Sequence, residues 1–227
     1  METEEPLVSF TFDDFPRSAV VEGGAILGTY GIRGTFFASF GMVGTVAPTG
    51  EIFSVGDLND LVRQGHELGC HTYDHCDAWD TSPAEFEASI IRNRAALEKH
   101  LPGTSFRTSS YPISWPRPQT KRQMPNYFDC CRGGGQTFNA RSLDLNNVSG
   151  FFLEKSRGDF DSIARLIAAN NRRKGWLIFV THDISDAPTR FGCTPKFFDK
   201  VVRQAVQSGA EILTVCDALK KIRDKRC

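Results

Sequence analysis

The chain has 227 residues, 40% of them hydrophobic and 24% charged, which places it with soluble globular proteins rather than disordered or fibrous ones. Basic and acidic side chains each number 27, so the formal net charge is zero and nothing points to a nucleic-acid or membrane-surface partner. No apolar run nears the ~20 residues of a membrane helix, METEEPLVSF carries no basic-then-apolar leader, and the seven cysteines build no CxxC framework, so reduced thiols and a cytoplasmic location are expected.

LVSFTF (7–12) reads as a buried strand closed by two adjacent carboxylates, Asp13 and Asp14. Like charges this close repel, and each is costly to bury without compensation. The pair therefore either opens a solvated loop or is held there for a use. Residues 17–31 form a plausible helix ending at Gly31, and RGTFFASF (33–40) a second strand. SVGDLNDLVRQG (54–65) sets Leu58, Leu61 and Val62 on one helical face before a glycine stop. HELGCHT (66–72) is a short strand, and a helix over 82–103 opens with a Ser82 cap, Pro83 and Glu85, a capping box.

The stretch 108–158 holds Pro112, Pro116, Pro118, Pro125 and the triplet Gly133–Gly135, and reads as mostly long loop with one short strand near 127–131. Regular structure then resumes: a helix over 159–171, the apolar strand WLIFVTH (176–182), a helix over 194–209 with a Thr194 cap, a strand over 211–215 and a closing helix over 217–225. Repeated β-then-α order predicts parallel strands with helices outside, about seven strands, in a single domain spanning 1–227. In such sheets functional residues gather where strands end.

Three strand ends carry the candidate chemistry. The first is Asp13–Asp14. The second, CHTYDH (70–75), sets His71 and His75 four apart, a spacing that lets both grip one divalent metal. The third, FVTHD (179–183), brings His182 out of an apolar run. One carboxylate and two imidazoles make a three-ligand site that leaves positions open for water and substrate. The second carboxylate is then free to act as base, and His182 to protonate a leaving group. His66 and His100 match no metal pattern and read as packing residues.

FTFDD, HTYDH and the apolar strand ending THD resemble, in order and spacing, the motifs of the NodB-homology polysaccharide deacetylases, carbohydrate esterase family 4. The likeness extends through GTFFAS (34–39) and GCTPKFFDKVVRQAVQSGAEILTV (192–215), covering about residues 6–220. It implies a distorted (β/α)7 barrel and a metal-dependent amide or ester hydrolase. Asp13 would be the base, Asp14, His71 and His75 the metal ligands, and His182 the acid. The metal would be zinc first, with cobalt or nickel possible.

The third motif of the family matches FRTSSYPISWP (106–116) only in part. Arg107 would orient Asp13. Ser110 stands where many relatives have tyrosine, with Tyr111 one place on, and a backbone N–H near these two would stabilise the oxyanion. Tyr111 and Trp115 are candidates to stack on a sugar face, against simple loop packing. The fourth motif is unrecognisable; YFDCCRGGGQTFNARSLDLN (127–146) takes its place, and Arg132, Asp129 or Asp144 is the candidate for its supporting role.

The resemblance implies a hydrolase that removes acetyl groups from N-acetylated or O-acetylated carbohydrate by way of a metal-bound water. Two alternatives are a cytosolic hydrolase of a small C–N substrate, allantoinase-like or deformylase-like, and a non-catalytic carbohydrate-binding relative. The complete set of two aspartates and three histidines argues against the last. Nothing in the sequence signals an oligomer.

Overall fold

A computed structural model describes residues 5–224. Strands and helices alternate along most of the chain. β1 (Leu7–Phe12) leads through a π-helical turn, Ala19–Gly24, into α1 (Ala25–Thr29). β2 (Thr35–Ala38) is followed by a small antiparallel hairpin, β3 (Val46–Ala47) and β4 (Gly50–Glu51), and then α2 (Val55–Arg63). β5 (Glu67–Cys70) precedes α3 (Pro83–His100), whose expected capping box forms between Ser82 and Glu85. β6 (Thr108–Ser110), α4 (Pro118–Gln123), β7 (Cys130–Gly133), β8 (Val148–Ser149) and β9 (Phe151–Phe152) follow. The chain closes with α5 (Phe160–Arg173), β10 (Trp176–Thr181), α6 (Pro195–Gln207), β11 (Glu211–Ile212) and α7 (Val215–Asp224).

The main sheet runs β8-β7-β6-β5-β2-β1-β10-β9, all its pairings parallel, and β11 adds to the start of β1. Its two outer strands are separated in sequence by Gly150 alone. One extended segment thus pairs with β7 through Val148–Ser149 and with β10 through Phe151–Phe152, drawing the sheet into a nearly closed ring of seven staves. This is the expected distorted (β/α)7 barrel. A side chain at position 150 would lie 2.7 Å from both Arg132 Cδ and Val180 Cγ2, so the crossing is open only to glycine.

Strand alternation sorts the side chains. Val8, Phe10 and Phe12 face the helices, where Phe198, Val201 and Val202 of α6 complete the core; Phe12 stacks on Phe36 at 4.5 Å and Phe10 on Phe179 at 5.4 Å. Leu7, Phe37, Cys130, Trp176 and Ile178 fill the other face with Val215, Ala218, Leu219 and Ile222 of α7, which plugs the barrel where its strands begin. The six described cysteines are free thiols. Among the described residues no helix is long and apolar enough to cross a membrane.

The expected loop over 108–158 is corrected: it holds four short strands, β6 to β9, which make three staves of the barrel, and the strand expected near 127–131 runs Cys130–Gly133. These strands are two to four residues long and rich in Thr, Ser, Cys and Gly. The barrel supplies their pairing partners, which overrides their weak local preference. The expected strand over 211–215 is only Glu211–Ile212, because α7 starts at Val215. The final position of the expected closing helix, 225, lies outside the described residues.

Candidate active site

β1, β5, β6, β7 and β10 all end on one rim of the barrel, which brings distant sequence segments together. Left-handed backbone is concentrated there: Asp14, Phe15, Thr72, His75, Ile113 and Ser114 all have positive φ. Such conformations cost non-glycine residues roughly 1–2 kcal/mol each and persist where surrounding structure over-determines them.

Asp14 and the histidines after β5 form one cluster. Asp14 Oδ1 lies 3.1 Å from His75 Nε2 and 3.4 Å from His71 Nε2, and one ligand atom from each of the three lies within 4.8 Å of the others. Thr49 Oγ1 donates to Asp14 Oδ2 at 3.0 Å and fixes the carboxylate. Oδ1 is buried and makes no hydrogen bond among the described residues. His71 Nδ1 sits 3.0 Å from the Ser110 carbonyl, so it carries the proton and leaves the Nε2 lone pair facing Asp14. Burial pushes the Asp14 carboxyl up, but contacts from His71 and His75 reverse this and hold it well below the usual carboxylate range. A buried, unpartnered carboxylate oxygen facing two imidazole nitrogens fits a divalent ion. Two N donors and one O donor suit zinc, cobalt or nickel.

Asp13 has a separate environment. It is 3% exposed, and Arg132 Nη2 bonds both its oxygens. Ser110 Oγ donates to Oδ1 at 3.2 Å. Burial raises the Asp13 carboxyl, yet the Arg132 guanidinium, with His71 and His182 behind it, brings it below its ordinary value. Arg132 is fully buried between the Phe37 and Phe152 rings, 5.5 and 5.6 Å from their centroids.

The expected Arg107–Asp13 pair is therefore corrected. Arg107 precedes β6, where the barrel begins, and its half-exposed guanidinium pairs with Asp129, at 2.9 Å from Nε and 2.6 Å from Nη2. The cation on Asp13 comes instead from β7, where Arg132 stands in register with Ser110 at the rim. Arg132 thus does what was expected of Arg107; of the other two candidates for the fourth motif's supporting role, Asp129 holds Arg107 and Arg223 and Asp144 holds Lys121, and neither lines the cavity.

Ser110, Tyr111 and Trp115 also stand elsewhere than a substrate-contacting role requires. Ser110 is buried and its hydroxyl links His71 Nδ1, at 2.6 Å, to Asp13. Tyr111 is 1% exposed in the main core, its hydroxyl donates to Asn146 O, and its N–H is committed to Arg132 O at 3.0 Å, so it has no N–H to offer an oxyanion. Trp115 lies at the outer surface, off the cavity wall. Ile113 and Ser114, next along the chain, line the cavity in their place.

That cavity measures about 390 Å3. Asp13, Asp14, His71 and His75 line it, with Met42, Pro48 and Thr49. His182, Phe191, Arg190, Phe152, Glu154 and Lys155 line it as well. His182 Nδ1 lies 3.1 Å from the Phe191 carbonyl, which assigns the proton to Nδ1 and leaves Nε2 for the cavity. The loop carrying Phe191 is tied by Asp183, which accepts from Thr189 N at 2.7 Å and Thr189 Oγ1 at 2.6 Å. Sequence reasoning missed Glu154, Lys155, Arg190 and Thr49. No motif marks them; only the barrel closure at Gly150 and the loop after β10 bring the first three to the rim.

The sequence matches the family model described as polysaccharide deacetylase over residues 1–126. Several solved structures share the fold. The Xyl-CE4 domain of a multidomain xylanase from the hindgut metagenome of Trinervitermes trinervoides is 20% identical, with 96% of this chain and 91% of that chain covered and a TM-score of 0.66. A family 4 acetyl xylan esterase from Clostridium thermocellum, solved with a cobalt ion, is 23% identical over 96% and 92%, at a TM-score of 0.64. A peptidoglycan deacetylase from Bacillus subtilis is 16% identical over 100% and 95%, at 0.65. The matched region takes in both the FTFDD and the HTYDH segments, and with more than half of its length accounted for, the chain belongs to the polysaccharide deacetylase family.

Proposed function

We propose that the chain is a metal-dependent hydrolase that removes acetyl groups from carbohydrate, acting on the amide C–N bond of N-acetylated sugars, not on peptide bonds, or on the ester C–O bond of O-acetylated ones. One observation carries the reading. A carboxylate locked by a buried guanidinium opens onto the same cavity as three converging ligand groups and a histidine with its far nitrogen pinned.

Asp14, His71 and His75 would hold the divalent ion, zinc first. When bound, the ion supplies Lewis acidity, easing proton loss from water and drawing charge from the acyl oxygen. Asp13 is the base. Arg132 and Ser110 fix its carboxylate, Arg132 favours its ionised form, and Oδ2 keeps a lone pair for the attacking water's proton. His182 is the acid: with Nδ1–H held by Phe191 O, a protonated Nε2 can hand its proton to the departing nitrogen, a poor leaving group without one. The family, and relatives named for acetyl xylan and peptidoglycan, support a carbohydrate substrate. A cavity of about 390 Å3 lies at the small end of ligand sites, so a hydrolase of a small C–N compound stands as the second reading.

The test is acetate and formate release by the zinc-loaded chain from N-acetyl sugars, O-acetyl xylan, formylated amino sugars and cyclic ureides. Acetate from the sugars supports the proposal; turnover of ureides alone moves the function to the second reading. Asp13→Asn should bind zinc and lose on the order of 10²–10⁴-fold in kcat. Loss of zinc in that variant would mean that the two carboxylates have exchanged roles.

A further inference from the structure

Glu154 is a third carboxyl group in the cavity, and neither the ion site nor the proton transfers use it. It follows β9 and Leu153 directly, and the backbone of its turn is pinned to the barrel: Leu153 N donates to Val180 O at 2.9 Å and Arg157 N to Glu154 O at 3.0 Å. The side chain is thus delivered to the cavity by strand pairing. There its Oε2 is buried and has no hydrogen-bond partner among the described residues.

The nearby cations do not claim it. Lys155 Nζ lies 4.5 Å over the Phe152 ring, and the Arg190 guanidinium 4.6 Å over the Phe191 ring, and neither forms an ion pair with Glu154. Nor does Glu154 join the cluster of Asp14, His71 and His75. Buried polar atoms are nearly always paired, and an exception in a native fold calls for an explanation. A purely structural carboxyl at this depth would have found a donor, as Glu67 does at the other end of the barrel with Thr35, Thr108 and the Cys216 N–H. The partner missing from Glu154 is one that arrives through the cavity.

We propose that Glu154 is a substrate-binding subsite that accepts a hydrogen bond from a hydroxyl or N–H group flanking the scissile acyl group. The inference rests on the hydrolase reading above and narrows it: the substrate is a polyhydroxylated or ureido amide, not a simple N-acyl alkylamine or alkyl ester. Burial pushes the Glu154 carboxyl up to about 7, outweighing its own backbone N–H and the charge of Lys155. A substrate donor would supply what the protein withholds. Sites built around such a bond reject analogues that lack it, because the buried acceptor is then left unpaired.

The experiment compares the zinc-loaded wild type with Glu154→Gln, which keeps an acceptor, and Glu154→Leu, which does not. The readings are kcat/KM on chitotriose and on p-nitrophenyl acetate, binding of chitotriose and of allantoin by calorimetry, and Tm. In Glu154→Leu the ratio of chitotriose to p-nitrophenyl acetate kcat/KM should fall about 10–100-fold, the size of one lost buried hydrogen bond, and Glu154→Gln should recover most of that ratio. Tm should hold or rise in both variants, since an unpaired buried carboxyl is removed; a clear drop in Tm would assign Glu154 to the fold and overturn the proposal. An unchanged ratio, or neither donor-bearing compound binding more weakly to Glu154→Leu, would also overturn it. Glu154-dependent binding without turnover of either compound would sink the hydrolase reading and leave the subsite standing.

Discussion

The two ends of the barrel bury carboxyl groups in opposite ways. Where the strands begin, Glu67 accepts from Thr35 Oγ1 at 2.9 Å, from Cys216 N at 2.9 Å and from Thr108 Oγ1. Close by, His66 is held neutral, its Nδ1 accepting from Gly34 N at 3.0 Å and its Nε2 facing Gln64 Oε1 at 3.2 Å. Where the strands end, Asp14 Oδ1 and Glu154 Oε2 are buried and make no hydrogen bond among the described residues, and Asp14 sits on left-handed backbone. At the first end the Glu67 carboxyl is saturated, and its hydrogen bonds contribute to stability. The second is unsaturated, and its cost is offset only when a ligand arrives. A buried carboxyl therefore says little by its burial; the number of donors it has already found separates structure from function.

The largest effect that bears on this contrast is at Arg132. Arg132→Met would leave Asp13 charged, buried and unpaired, and should cost about 3–5 kcal/mol in urea-unfolding free energy together with most turnover. Arg107→Ala removes only a half-exposed pair with Asp129 and should cost less than about 1 kcal/mol with activity retained. Equal losses would return Arg107 to the site. Next is the ion itself. Zinc at 100 times its Kd should raise the unfolding free energy of the metal-stripped wild type by about 2.7 kcal/mol. Asp14→Ala should abolish both that gain and the calorimetric binding signal. A similar gain in Asp14→Ala would place the ion elsewhere.

At the saturated end, Glu67→Leu strands three donors and should cost about 2–3 kcal/mol while zinc affinity stays that of the wild type. A fall in zinc affinity would show that the two ends are coupled. The smallest effect is in pH. Burial lowers His66 from 6.5 to about 4, and a proton on Nδ1 would meet the Gly34 N–H head-on. The unfolded imidazole titrates first as pH falls, so the His66 contribution is complete above about 6.5 and lost down through about 4. Wild type should lose on the order of 2 kcal/mol more than His66→Gln between pH 7 and 4.5, read from urea midpoints. Parallel pH curves would remove His66 as the source.

How far the sequence could be read follows from the same physics. The long strands β1 and β10, and helices with Ser82, Thr194 or Ser54 caps, carry their own local signals, so their positions and most of the alternation were legible. The aspartate pair, His71, His75 and His182 lie directly past such strands, and their convergence could be inferred without coordinates. β6 to β9 lack that signal: segments such as Thr108–Ser110 and Cys130–Gly133 become strands only because neighbours pair with them. With them went Arg132, whose role depends on its register opposite Ser110, and Glu154, whose place depends on a ring closure that no local pattern encodes. Arg107 was misplaced for the complementary reason. A motif fixes residue type and order, but a difference in which stave supplies the guanidinium leaves no trace in spacing alone.

The single-residue crossing at Gly150 also bears on how the molecule meets other copies of itself. An open parallel sheet ends in two strands with unpaired N–H and C=O groups, ready to template addition of a foreign strand. Here one short segment occupies both terminal positions, with Val148–Ser149 against β7 and Phe151–Phe152 against β10, so each would-be edge is covered by the chain that would have formed the other. A bulkier residue at 150 would be driven against Arg132 and Val180 and would prise the two halves of that segment apart. The expected result is a protein that aggregates through its exposed strands as well as one that has lost the guanidinium beside Asp13.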